Sequence, residues 1–141
     1  LATELHRVRV GFRPRVLEAE WDAKRWVVRA LLAQDRVTEA QDEYATLTLA
    51  ERGAEASTRS RQETQILGIH IDLAIGELEL AHRRIDALLD ETAKLSDEHA
   101  IRVELRVLHG DVLGRLGQPE SASDEYRTAI AASCTRHRPG T

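Results

Sequence analysis

The sequence predicts an all-α fold, a stacked array of antiparallel helix hairpins, and three observations carry that prediction. The first is composition: 42% of residues are hydrophobic, only 4% aromatic and 31% charged, with three Pro, and the prevailing Ala, Leu, Arg and Glu are good helix formers. The second is a repeat. The strings LAQDRVTEAQDEY (Leu32 to Tyr44), LAIGELELAHRRI (Leu73 to Ile85) and GRLGQPESASDEY (Gly114 to Tyr126) align without a gap at an offset of 41 residues. Ala40, Ala81 and Ala122 coincide, as do Tyr44, Ile85 and Tyr126. The third is a shared turn position, occupied by Asp35, Gly76 and Gly117. Helical patterning inside a period of this length marks hairpins that bury their apolar faces against neighbouring hairpins.

The elements follow in order from local signals. The spacing predicts a first hairpin with helices over about Pro14 to Gln34 and Val37 to Arg52, broken by Gly53 and Ala54. A second runs over about Ser57 to Ile75 and Glu77 to Leu95, and a third over about Asp97 to Leu116 and Pro119 to Ser133. Ser60 stands three residues before Glu63 in capping-box spacing, Ser96 precedes an acidic first turn, and Pro119 suits a first helical position. Residues 1–13 map by the same offset onto the end of a preceding second helix, whose Leu5, Val8 and Phe12 are expected to pack on the first hairpin. Residues 1–135 thus form one repeat domain (repeats over about 14–53, 55–95 and 96–134), followed by a disordered tail at 136–141. With no Met anywhere in the chain and neither end resembling a polar capping repeat, the sequence reads as an internal window of a longer array that self-associates through exposed repeat ends.

Packing roles account for most recurrent positions. The small residue at 40, 81 and 122 lets paired helices approach closely, and the larger side chain one turn later fills the adjacent space. Trp26, Leu67 and Leu108 share a position on the first helices and are followed four residues later by Ala30, Ile71 and Val112, the spacing of one buried stripe. Trp21 and Trp26 lie ~140° apart around a helix at ~100° per residue, which favours two core or interface residues over a stacking pair.

Charge and composition exclude several functions. Residues 1–36 carry eight Lys and Arg against five Asp and Glu, whereas residues 37–135 carry ten against nineteen. A mainly acidic body argues against direct nucleic-acid binding, which needs a concentrated cationic face. No run approaches the ~18 apolar residues of a membrane span, and the N-terminus lacks the apolar core of a signal peptide. The single Cys134 excludes an internal disulfide, so a cytoplasmic, reducing location is expected. Phosphate-loop, HExxH and GxSxG patterns are absent from the sequence. His70 with Asp72 and His109 with Asp111 invite a metal or acid–base reading, but a separation of two residues points side chains ~200° apart; neither pair chelates from one helix. Because ILGIHIDLAI is apolar almost all round, burial of His70 or Asp72 is expected there. The sequence reading is therefore noncatalytic, with no cofactor and no metal assigned.

The strings LLAQDRVTEAQDEY (Leu31 to Tyr44) and VLGRLGQPESASDEY (Val112 to Tyr126) resemble the tetratricopeptide pattern around its hairpin turn: a glycine-type turn, an acidic residue, an alanine, then an aromatic four positions on. The 41-residue unit, longer than the usual tetratricopeptide repeat, is similar to the repeat region of bacterial MalT-like, LuxR-type ATP-dependent transcription regulators. Asp35 in place of the turn glycine and a poorly kept tryptophan–leucine signature in the first helix depart from the family pattern. The resemblance implies a right-handed superhelix, an α-solenoid, whose concave face is lined by first helices. It implies a noncatalytic module binding a protein or peptide segment in a bacterial regulatory protein, or alternatively a domain sensing a small-molecule inducer. Carried over by the alanine alignment, the concave face comprises Asp22, Arg25 and Arg29, then Glu63, Ile66 and His70, then Glu104, Val107, Asp111 and Arg115. Such a groove passes from cationic to acidic, and Arg25 with Arg29 is expected to orient an acidic ligand.

Overall fold

The computed structural model describes residues 14–136, with side chains over 17–134. Six helices and no strand occur among the described residues: α1 Pro14–Ala33, α2 Val37–Gly53, α3 Thr58–Ile75, α4 Leu78–Glu91, α5 Ala100–Arg115 and α6 Pro119–Arg136. None of them is long and apolar enough to cross a membrane. The expected packing roles of Leu5, Val8 and Phe12, and the expected tail, lie outside the described residues.

The three hairpin turns are built alike because the chain must reverse within three residues each time. Asp35, Gly76 and Gly117 all adopt the left-handed conformation, at φ of 59°, 81° and 80°. In each turn a six-residue backbone bond closes the helix: Arg36 N to Leu31 O at 2.9 Å, Glu77 N to Asp72 O at 2.8 Å, and Gln118 N to Leu113 O at 2.9 Å. This is the Schellman closure, which satisfies carbonyls that the end of a helix leaves without partners. The next helix then opens in each case with the alanine N–H bonding four residues back, at 3.0 Å in all three. Asp35 tolerates the left-handed region, as Asp and Asn do more readily than other non-glycine residues.

The connections between hairpins differ from one another and from the expectation. α2 is closed by Ala56 N to Glu51 O at 3.2 Å, with Glu55 left-handed at φ 52°; the reversal comes two residues after Gly53, which stays inside the helix. The Ser57 hydroxyl accepts from Ser60 N at 3.2 Å, so Ser57, not Ser60, caps α3. α4 stops at Glu91 instead of continuing to Leu95, because Arg102 reaches back across the loop. Its Nη1 donates to Leu89 O at 2.9 Å and to the Thr92 hydroxyl at 3.0 Å, occupying acceptors at the helix end. α5 starts at Ala100, three residues later than expected, since His99 and not Ser96 is its cap: His99 Nδ1 accepts from Ile101 N at 3.2 Å.

The chain forms two compact units with their boundary between Leu67 and Gly68. In the first, α1 packs on α2, and Trp21, Leu47 and Ala56 form a core against which Leu17 and Ala54 pack. In the second, α4 packs on α5 and α5 on α6, with Ile85, Leu88, Leu105, Leu108 and Val112 buried. Ala40, Ala81 and Ala122 are all buried, as the close pairing of helices requires. α5 and α6 approach closely: a Cβ on Gly110 would lie 2.6 Å from the Tyr126 ring and one on Gly114 would lie 3.9 Å from Ala122 Cβ.

Candidate functional site

α1 carries an exposed apolar stripe. Ala19, Ala23, Trp26 and Ala30 recur at spacings of four, three and four, so they share one side of the helix; all four are exposed, Trp26 by 71%. Val27 flanks the stripe at 47% exposure, and the Arg29 guanidinium carbon lies 5.9 Å from the centre of the Trp26 ring, within cation–π range. The expected buried stripe is therefore corrected at its first member: Trp21 enters the core and Trp26 does not.

The repeat identifies what kind of surface this is. One period on, the stripe corresponds to Ser60, Thr64, Leu67 and Ile71; two periods on, to Ile101, Leu105, Leu108 and Val112. All eight are buried. On α3, Ser60 and Thr64 meet α2 through Glu51, and α5 is packed by α4. The second helix of the preceding hairpin thus bonds to the start of α3 through Glu51 in one case and packs on α5 in the other. On α1 the same columns hold small residues around one large aromatic, a relief into which another helix can pack.

Beside the stripe, α1 contributes a buried polar network. Arg25, exposed by only 6%, donates from Nη1 to the Ser60 hydroxyl at 3.1 Å, to Ser60 O at 3.4 Å and to the Thr64 hydroxyl at 3.2 Å. It also pairs with Asp22 and lies 3.3 Å from Glu63. Glu51, at 3% exposure, accepts from the same two hydroxyls, from Ser60 at 3.1 Å and from Thr64. The hydroxyls thus stand between a buried cation and a buried anion, an arrangement that lowers the cost of removing each charge from water. Arg25 is a structural strut and presents no charge to a ligand, which corrects its expected place on a binding face.

The other expected concave-face residues divide into several local groups. Ile66 is core, at 1% exposure, and cannot line a groove. Glu63 forms an ion pair with Arg25 and accepts a hydrogen bond from Arg59 at 3.2 Å. His70 and Glu104 do come together, with Nε2 3.2 Å from Oε1. Asp111 accepts the Tyr126 hydroxyl, and this bond, with burial and the charge of Asp111 adding to it and Arg115 opposing, raises the phenol to about 12. Arg115 donates to Leu73 O at 2.8 Å, and Val107 is exposed.

Asp72 is buried, as expected of one residue in that apolar helix. Burial raises its carboxyl above the usual range and Glu77 adds to the shift, while Arg84 opposes it. Arg84 Nη1 lies 3.1 Å from Oδ2, within ion-pair reach but off the hydrogen-bond axis. His70, Asp72, His109 and Asp111 each take a different partner: Glu104, Arg84, Glu125 and Tyr126.

Sequence reasoning missed two groups. The accessibility of the Trp26 stripe is not encoded in its own spacing. The His82, Asp86 and His109 group, the set of His and acidic side chains among the described residues close enough to share a metal ion, joins two helices; only the four-residue separation of His82 and Asp86 was available to the sequence. No protein-family model, curated protein or solved structure matches this chain.

Proposed function

We propose that the chain is a noncatalytic helical-repeat module that binds a protein segment, and that the stripe on α1 is its docking face. The supporting observation is the exposure of Trp26 at a position whose two repeat equivalents, Leu67 and Leu108, are buried. The occupant is an amphipathic helix, because α4 packs on α5, which carries the equivalent column, and α2 bonds to the start of the column on α3. A large aromatic ringed by small side chains is a common anchor of such contacts. The tetratricopeptide-like turns and alanines point the same way, since arrays of this kind present extended surfaces to partners.

Selection from a displayed library of helical peptides tests this reading. Peptides enriched on the wild-type chain are expected to carry apolar residues at i, i+3, i+4 and i+7, and to lose binding by more than about tenfold on Trp26→Asp or Ala23→Asp. Both substitutions fall on exposed positions and are expected to leave the circular-dichroism melt nearly unchanged. Enriched peptides indifferent to both substitutions would remove α1 as the docking face.

A further inference from the structure

His82 on α4 and His109 on α5 face each other with their Nε2 atoms 3.4 Å apart and their ring planes tilted by 57°. Each ring also has its other nitrogen beside a carboxylate. His82 Nδ1 lies 3.3 Å from Asp86 Oδ2, and His109 Nδ1 lies 3.2 Å from Glu125 Oε2. The His109 contact is at ion-pair distance without hydrogen-bond alignment. A negative charge at that range still favours the ring proton on Nδ1, as carboxylates do behind metal-bound histidines. The Nε2 atoms are at hydrogen-bond distance, so one ring donates to the other until a metal ion displaces that proton. Two nitrogens bound at ~2.05 Å around a tetrahedral zinc ion are about 3.3 Å apart, close to the spacing found here.

Asp86 follows His82 by one helical turn and stands on the same side of α4. One ring nitrogen from each histidine and one Asp86 oxygen lie within 4.8 Å of one another. The Glu125 charge is balanced from behind by Arg106, whose Nη1 is 3.2 and 3.3 Å from its two oxygens. From this geometry we infer that His82, His109 and Asp86 bind one divalent transition-metal ion of the zinc type, with Glu125 orienting His109. Two imidazoles and one carboxylate suit zinc, cobalt, nickel or copper better than magnesium or calcium. His109 is largely buried, whereas the Asp86 side chain is 54% exposed, so the ion enters from the Asp86 side and an open coordination position faces solvent. The site is independent of the α1 surface, and by joining α4 to α5 it makes metal binding stabilise the folded second unit.

Titration of the full chain with cobalt(II), read by its visible absorption and by calorimetry, tests the inference. One equivalent is expected to bind in the micromolar range, to be displaced by zinc, and to raise the thermal midpoint. His82→Ala and His109→Ala are each expected to weaken binding by more than about tenfold, and Glu125→Gln by about 10- to 100-fold, while His70→Ala leaves it unchanged. Should a histidine variant fail to fold, the exposed Asp86→Asn decides the matter through the same loss of affinity in a folded protein. Absence of binding at millimolar metal would overturn the site. So would binding that Asp86→Asn and the histidine variants leave intact.

Discussion

Tyr126 shows how one side chain can couple packing to charge. Its ring sits where Gly110 leaves room, and its hydroxyl donates to Asp111. Because the folded phenol is raised from 10.0 to about 12, the stability it contributes is fully present below pH 10.0 and is lost as pH rises through about 12. The difference in unfolding midpoint between wild type and Tyr126→Phe is therefore expected to narrow across that interval. An absorbance titration of the phenols should show Asp111→Asn moving the Tyr126 ionisation back toward 10.0, and an unmoved titration would show that the bond does not hold the proton. The pairing of Asp111 with Tyr126 was hidden from the sequence, since fifteen residues and a turn separate them. Trp26 was hidden for a different reason. Its spacing matches Leu67 and Leu108, but exposure depends on whether another helix covers it, and periodicity describes only the helix that owns the residue.

At the scale of the element, the helix pairs were legible because their turns are local. Asp35, Gly76 and Gly117 announce the left-handed closures, and the alanines five residues later announce the crossing. The loops between hairpins were less legible: α4 ends and α5 begins through Arg102 and His99, whose partners come from across the connection. The α5–α6 crossing also yields a test in which local and tertiary preferences oppose each other. Gly110→Ala improves helix propensity by roughly 0.5–1 kcal/mol, yet its new methyl meets ring atoms at 2.6 to 2.9 Å, and overpacking typically costs about 1–3 kcal/mol. Net destabilisation is expected in denaturant unfolding of Gly110→Ala. Its removal by adding Tyr126→Phe is not expected, because the clash is with the ring carbons. A stabilised single variant would show that Tyr126 moves aside freely.

At the scale of the molecule, the repeat is visible as three equal turns and three buried alanines, while the chemistry lies in what the repeats do not share. Only the first repeat has an exposed tryptophan at the common column, and the His82–His109 pair has no counterpart one period earlier, where Gln41 and Gly68 stand. The six helices were predictable because every unit repeats the same local instructions. The His82–Asp86–His109 group and the exposed α1 stripe were not, because each arises from a departure of one unit from the others.

The buried Arg25 network has a consequence for how the chain acquires its structure. Arg25 and Glu51 belong to α1 and α2, but the hydroxyls that separate their charges, Ser60 and Thr64, belong to α3. A peptide ending at Gly53 keeps both ionic side chains and lacks the groups that let them leave water together. The first hairpin alone is therefore expected to be marginal, because Arg25 and Glu51 then stay in water and the network that ties α1 and α2 to α3 is missing. Synthesised as residues 14–53 it should give a largely unfolded circular-dichroism spectrum, and extension to residue 75 should bring helicity in together with cooperative melting. On this expectation α1 and α2 become secure only when α3 joins them.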